Sequence, residues 1–158
     1  MSRRANREKV FQVLFSADYY APEEMEEQIR LFFADEVERF FEKKMEEAEA
    51  KGVKGAPEEL ILPASFAKSR EEVTQRVESI LPLIPELDKK LDEKIDGWDT
   101  SRIGRVELTV LRLALYEMLY DDEISEAVAI NEAVEIAKKY GQEKSSEFIN
   151  GVLAKFTA

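Results

Sequence analysis

The chain has 158 residues, a net charge of −11, and neither histidine nor cysteine. A chain of this length fits one domain with a buried core. The missing residue types exclude Cys/His zinc sites, thiol catalysis, disulfides and Ser-His triads. The acidic balance argues against a surface that binds nucleic acid over its whole area.

No apolar run approaches the roughly eighteen residues that a membrane span requires. The N-terminus resembles a secretory signal peptide, because basic residues precede an apolar stretch at 10–15. That stretch is too short, contains Gln12 and lacks a following cleavage site of small residues. We therefore expect a cytoplasmic protein.

The charge is distributed unevenly, with a basic N-terminal tip ahead of an acidic body. Residues 1–15 hold four cations against one carboxylate, whereas residues 21–62 hold thirteen carboxylates against six cations. The four cations are Arg3, Arg4, Arg7 and Lys9. We expect any nucleic-acid contact there, since arginines bind phosphates and stack on unpaired bases. A solvated basic terminus is the alternative, because four cations are few for a phosphate-binding tract.

Helical periodicity dominates the chain, and no strict alternation indicates a sheet. The predicted helices cover about residues 3–20, 23–49, 65–82, 85–95, 105–120 and 125–141, and a last one from 145 onward. A capping box at Ser69 also allows the third helix to begin there. Gly97 and Asp99 indicate a helix stop and a new cap around an anchoring Trp98. Residues 46–63 lose periodicity and predict an acidic loop.

The helix predicted over 105–120 is apolar on most sides, so it should be central and buried. Arg112 is a charge within it, and we expect an ion pair with Glu132 or Glu135, because buried charges are normally paired. Gly151 lies inside the last helix, where glycine costs about 1 kcal/mol relative to alanine. A close helix crossing would explain that glycine.

Three aspartates lie on one helix face at i, i+4 and i+8: Asp88, Asp92 and Asp96. Such a row can bind magnesium and a diphosphate in all-helical isoprenoid synthases. A second, facing acidic motif is missing, and lysines intersperse the row as on a solvated face. A small magnesium-dependent helical enzyme therefore stands as an alternative interpretation of the chain.

Six sequence blocks in fixed order resemble the NusB family of bacterial transcription antitermination factors. They are RRANRE at 3–8, QVLF at 12–15, WDTSR at 98–102, VELTVLRLALYE at 106–117, VAINEAVEIAKKYG at 128–141 and FINGVL at 148–153. The matching parts cover roughly half the chain and are densest after residue 98. One block alone would be weak, but the joint pattern is specific.

The resemblance implies an all-α fold of about seven helices in two small packed bundles, with subdomains at about 1–80 and 81–158. It implies no catalytic activity, and we expect no cofactor. It implies binding of the boxA element of ribosomal RNA leaders, jointly with the small-subunit ribosomal protein that also serves as NusE. That complex would load onto RNA polymerase and suppress premature termination. The resemblance implies that Arg3, Arg4 and Arg7 contact RNA. It also implies that Phe15 is the aromatic residue that faces NusE.

The chain departs from the family pattern in three places, and one of them is the interruption of the middle helices by Pro82 and Pro85. Residues 46–63 look like a longer and more acidic insertion, and Glu126 follows Ser125 where a carboxylate would repel RNA. Two further alternatives are a protein–protein scaffold without RNA binding and a NusB-like domain of the kind fused to ribosomal RNA methyltransferases. The lack of a cofactor-binding domain within these 158 residues argues against the latter.

Overall fold

The computed structural model describes residues 3–52, 61–97 and 99–158. Regular structure in these ranges is helical, and seven α-helices are joined partly by short 3-10 turns. The α-helices are α1 (Arg3–Phe15), α2 (Met25–Ala50), α3 (Ala64–Ile80), α4 (Ile84–Lys94), α5 (Arg105–Tyr120), α6 (Glu126–Tyr140) and α7 (Ser145–Ala154). No helix in these ranges is long and apolar enough to cross a membrane. The predicted anchor Trp98 lies outside the described residues.

Helix α5 lies at the centre of the fold because it is apolar nearly all round. Every residue from 108 to 115 is buried. The helix packs against α1, α4, α6 and α7. Both its bounds and its central position confirm the prediction made from its composition.

Helix α1 is shorter than predicted and packs on two sides. It ends at Phe15 rather than near residue 20, because the chain tightens into a 3-10 turn over Ser16–Asp18. The buried side chains of its apolar face are Val10, Phe11, Val13 and Leu14. They pack α1 between α3 and α5, which leaves the first turn of α1 beyond the core.

Helix α2 is buried only in its first half. An apolar stripe that runs from Ile29 to Met45 predicts burial along most of this helix. Met25, Ile29 and Phe33 are buried, but Met45 is exposed, so the prediction is wrong for the second half of the helix. The helix also continues to Ala50, so residues 46–50 of the predicted loop are helical. The centre of that loop, residues 53–60, lies outside the described residues.

Prolines separate α3 from α4 as predicted. Pro82 lies in a 3-10 turn over Leu81–Leu83, and Pro85 occupies the first turn of α4, where a missing N–H is tolerated. Helix α3 begins at Ala64, which agrees with the earlier of the two predicted starts. Ser69 is buried inside α3 and does not cap it, so the capping-box interpretation is wrong.

Gly151 does not mark a close helix crossing. It is exposed in α7, and a Cβ added to it would meet nothing within 4 Å. The expectation of a crossing at this position is therefore wrong, and the glycine carries its helix-propensity cost without a packing reason.

Gly151→Ala is expected to raise the free energy of unfolding by about 0.5–1 kcal/mol, because alanine reduces the chain entropy of the unfolded state and fits the helix. Urea unfolding followed by circular dichroism measures the change. Gly97→Ala is the matched control, since it also has open space around it but adopts φ +75°. Alanine is strained there, so this variant should be less stable than the parent. A loss of stability in Gly151→Ala would contradict the assignment.

Candidate nucleic-acid interface

The side-chain amide of Asn6 links the N-terminal part of α1 to α3 through hydrogen bonds. The Asn6 side-chain nitrogen donates a 2.7 Å hydrogen bond to Glu72 Oε2. The Asn6 side-chain oxygen accepts a 2.6 Å hydrogen bond from Ser69 Oγ. Both hydrogen-bonding functions of one side chain are thus used on the same neighbour, which fixes the rotation of α1 against α3.

Arg4 ties the other side of α1 to α6. Its guanidinium donates two hydrogen bonds to Glu132, from Nε to Oε2 at 3.0 Å and from Nη2 to Oε1 at 2.8 Å. The pair lowers the pKa of Glu132 and raises that of Arg4, because each charge is bonded to its opposite. The Arg4 side chain remains 68% exposed. Its guanidinium is therefore held in place yet open to solvent.

Arg7 lies deeper and ties α1 to α5. Its Nε donates a 2.8 Å hydrogen bond to Glu117 Oε1, and its Nη1 lies 3.7 Å from Glu132 Oε2. The Arg7 side chain is 10% exposed and that of Glu117 is 4% exposed. Burial raises the pKa of Glu117, an effect opposed by Arg7. Oε2 of Glu117 is buried without a hydrogen-bond partner among the described residues.

Two clefts flank this part of α1. A cleft of about 510 Å³ is lined by residues of α1, α3 and the end of α5, and the exposed Arg3 is one of them. A second cleft of about 310 Å³ lies between α1 and α6, and Arg4 lines it. Arg7 lines both clefts. The three arginines named from the sequence therefore lie together, with Arg3 and Arg4 at the solvent and Arg7 behind them.

The remaining two candidates lie apart from the arginines. Lys9 is buried, and its Nζ lies 3.5 Å from Glu36 Oε2 of α2, so it belongs to the interior of the fold. Phe15 is half-buried at the far end of α1, between Phe11 and Tyr19, with ring centroids at 6.4 and 5.8 Å. Because Tyr19 is mostly exposed, this aromatic row runs from the core to the surface.

Arg112 has different partners from those predicted. Its Nε and Nη2 each donate a 2.7 Å hydrogen bond to Asp88, and its Nη1 lies 3.0 Å from Asp18 Oδ1. The expected pairing with Glu132 or Glu135 is therefore wrong, because Glu132 is bonded to the arginines of α1 instead. The prediction that this buried charge is paired is confirmed.

The aspartate row does not converge on one site. Asp88 bonds Arg112, while Asp92 Oδ1 accepts a 2.7 Å hydrogen bond from the Thr100 backbone nitrogen. Asp96 is fully exposed, 3.7 Å from Lys155 Nζ. Within residues 3–52, 61–97 and 99–158, no group of three or more carboxylates could hold a metal ion. The interpretation of this row as a magnesium site is therefore wrong.

Several polar residues of this region were missed at the sequence level. Asn6 and Glu117 hold the arginine-bearing turns, and Arg76, Tyr116 and Tyr120 line the larger cleft. Glu117 could have been found from the sequence, because it is a charged residue within the apolar run of α5, as Arg112 is. A charge in such a position is normally paired. Nothing comparable distinguishes Arg76 from the other cations of the chain.

The described region is an all-helical surface with arginines at its tip, and the candidate residues named from the sequence do not assemble into a catalytic group there. The NusB family matches residues 4–158. The transcription antitermination protein NusB of Agathobacter rectalis is 36% identical over 156 residues, which are 99% of each chain. That of Lachnoclostridium phytofermentans is 37% identical over 155 residues, 98% of each chain. The chain therefore belongs to the NusB family, whose members are transcription antitermination factors and not enzymes.

Solved structures agree with this assignment. T. maritima NusB aligns with a TM-score of 0.72 and 27% identity, covering 98% of this chain and 89% of the other. A protein chain in the crystal structure of a plectonemic RNA supercoil aligns with a TM-score of 0.65 and 25% identity, covering 98% and 93%. The resemblance stated from the sequence, the all-α class and the approximate helix number are confirmed. The division into subdomains at about residue 80 stays a prediction.

Proposed function

We propose that this protein is a cytoplasmic RNA-binding adaptor for antitermination. It binds boxA-type single-stranded RNA of ribosomal RNA leaders together with a NusE-type ribosomal protein, and reaches RNA polymerase through that complex. The observation that carries the proposal is the placement of Arg3 and Arg4 at the solvent-exposed first turn of a helix held by three neighbours. Arg7, at the floor between the two clefts, completes the set of RNA contacts.

The charges around the tip explain why a second protein is needed. Arg4 is ion-paired with Glu132, and Glu135 and Glu8 also line the smaller cleft. A phosphate that approaches Arg4 must compete with a carboxylate that is already bonded to Arg4. The phosphate contact therefore adds less binding free energy than a contact with an unpaired arginine would. Affinity for RNA alone is therefore weak, and the partner supplies the rest of the joint surface.

The partner binds at the opposite end of α1. Phe15 is half-buried, and Tyr19 and Tyr20 beside it are exposed. Aromatic side chains are enriched at protein interfaces, because they bury large areas with few rotatable bonds. Because the guanidinium tip and the aromatic row lie at opposite ends of one rigid helix, α1 can bind RNA and protein at the same time.

The test is a titration of labelled boxA-type RNA and a scrambled RNA against the protein, with and without the NusE-type partner, over a range of salt concentrations. Arg3→Ala and Arg4→Ala should each weaken binding and flatten the dependence of log affinity on log salt by about 0.7. Arg39→Ala is the matched control, since Arg39 is 70% exposed and ion-paired but lies on α2. It should change neither value. Phe15→Ala should remove the gain given by the partner.

Three outcomes contradict the proposal. Equal affinity for boxA-type and scrambled RNA in the presence of the partner would remove the boxA assignment. No RNA binding under any condition, with partner binding retained, would make the protein a scaffold without RNA binding. Unchanged salt dependence in both tip variants would place the RNA site elsewhere on the protein.

A further inference from the structure

The larger cleft beside α1 contains an aromatic platform that the arginine tip does not explain. Tyr116 and Tyr120, one turn apart at the end of α5, stack with centroids 5.5 Å apart and planes at 27°. The Arg76 guanidinium of α3 lies 5.2 Å from the Tyr116 ring centre and is held there by a 2.5 Å ion pair with Asp121. The Arg76 guanidinium and the two tyrosine rings therefore form one stack along the wall of the cleft.

Tyr120 is the open end of this stack. Its side chain is 42% exposed although one face is covered by Tyr116. Burial raises the pKa of Tyr120, and the charge of the nearby Glu86 carboxylate adds to this effect. The stacked Tyr116 ring restricts the movement of the Tyr120 ring. A flat surface that is already held in place is suited to stacking, because little side-chain freedom is lost when a ligand arrives.

The charges of the cleft select against phosphate. Three arginines line it, together with four carboxylates: Arg3, Arg7 and Arg76 against Glu72, Glu117, Asp121 and Glu123. The net charge of the lining is negative, so a phosphate group gains little by entering. Carboxylates accept hydrogen bonds from amino groups on base edges. An uncharged, planar group with N–H donors fits this cleft better than an anion.

We propose that this cleft receives one unpaired nucleobase of the bound RNA, stacked on Tyr120, while the backbone stays at the arginine tip. The inference rests on the proposed function, since it assigns a second contact to the same RNA. Arg3 lines the cleft and belongs to the tip, so it joins the two contacts. Tyr120 would then add affinity that does not depend on salt, because stacking neutralises no phosphate.

The experiment measures binding of labelled boxA-type RNA by Tyr120→Leu, which keeps apolar bulk but removes the ring. We expect affinity to fall about fivefold or more, with the salt dependence unchanged. Tyr120→Phe should bind as the parent does, because it keeps the ring. Phe40→Leu is the matched control, since Phe40 also lies between a second ring, Phe41, and a cation, Lys44, but belongs to α2 and lines neither cleft. It should bind RNA as the parent does.

A second arm uses RNA in which single nucleotides are made abasic in turn. One position should cost the parent protein about fivefold in affinity and cost Tyr120→Leu almost nothing, because the lost base and the lost ring are the same contact. Parent-like binding by Tyr120→Leu, or equal sensitivity of both proteins at every position, would overturn the inference and leave the proposed function standing. Failure of the parent to bind RNA would overturn both.

Discussion

Arg112→Ala is expected to lower the free energy of unfolding by about 3–5 kcal/mol, because it breaks a buried ion-pair network from its centre. The guanidinium of Arg112 is buried in α5 and donates to Asp88 and Asp18, which come from two other segments of the chain. Without it, Asp88 loses the guanidinium that pairs with it, and Asp18 keeps only the longer contact with Arg105, whose Nη1 lies 3.5 Å from Asp18 Oδ2. Urea unfolding followed by circular dichroism measures the loss.

Arg30→Ala is the control for Arg112. Arg30 also makes a two-point contact with a carboxylate, Glu27, but both side chains are more than half exposed. Surface pairs of this kind contribute about 0–1 kcal/mol. A loss of less than about 1 kcal/mol in Arg112→Ala would show that the network does not hold α5 to its neighbours.

Arg7→Ala is expected to cost about 3 kcal/mol at neutral pH, because it leaves Glu117 as an unpaired buried charge. One oxygen of Glu117 already lacks a partner among the described residues, and the other accepts its hydrogen bond from Arg7 Nε. Arg4→Ala is the matched control on the same helix, since Arg4 is mostly exposed. It should change stability by less than about 1 kcal/mol. Chemical unfolding of both variants compares the two positions.

The cost of Arg7→Ala should depend on pH in a defined direction. Burial holds the pKa of Glu117 above its ordinary value of 4.5 in the folded protein, and loss of Arg7 raises this pKa further. The folded state then binds more protons than the unfolded state in the window above 4.5, so stability falls as pH rises through it. The deficit should therefore be smaller near pH 5 than at pH 8. An equal deficit at both values would contradict the assignment of the loss to Glu117.

The sequence predicted the elements of this fold better than their pairings. Helix α5 was predicted with its observed bounds, because near-continuous apolar residues and clear caps on both sides are local signals. The partner of Arg112 was predicted wrongly, since the choice among many carboxylates depends on how helices cross. Asp18 and Asp88 lie far from Arg112 along the chain and meet it only in three dimensions.

In the candidate site too, the sequence predicted the residues better than their contacts. A basic N-terminal segment was visible as a charge pattern, and Arg3, Arg4 and Arg7 do lie together. Their unequal exposure was not visible, because it depends on Glu117 and Glu132, which α5 and α6 bring against α1. The cleft beside them was also hidden, since it is formed by α1, α3 and the end of α5, segments distant in sequence.

The three attachments of α1 bear on the thermodynamics of recognition. Asn6, Arg7 and Arg4 fasten the first two turns to α3, α5 and α6 in succession. Disordered basic tails must lose backbone freedom when they bind, and this loss weakens the complexes they form. A helix already immobilised by its own domain avoids that entropic loss, so a small number of cationic contacts can suffice for specific association.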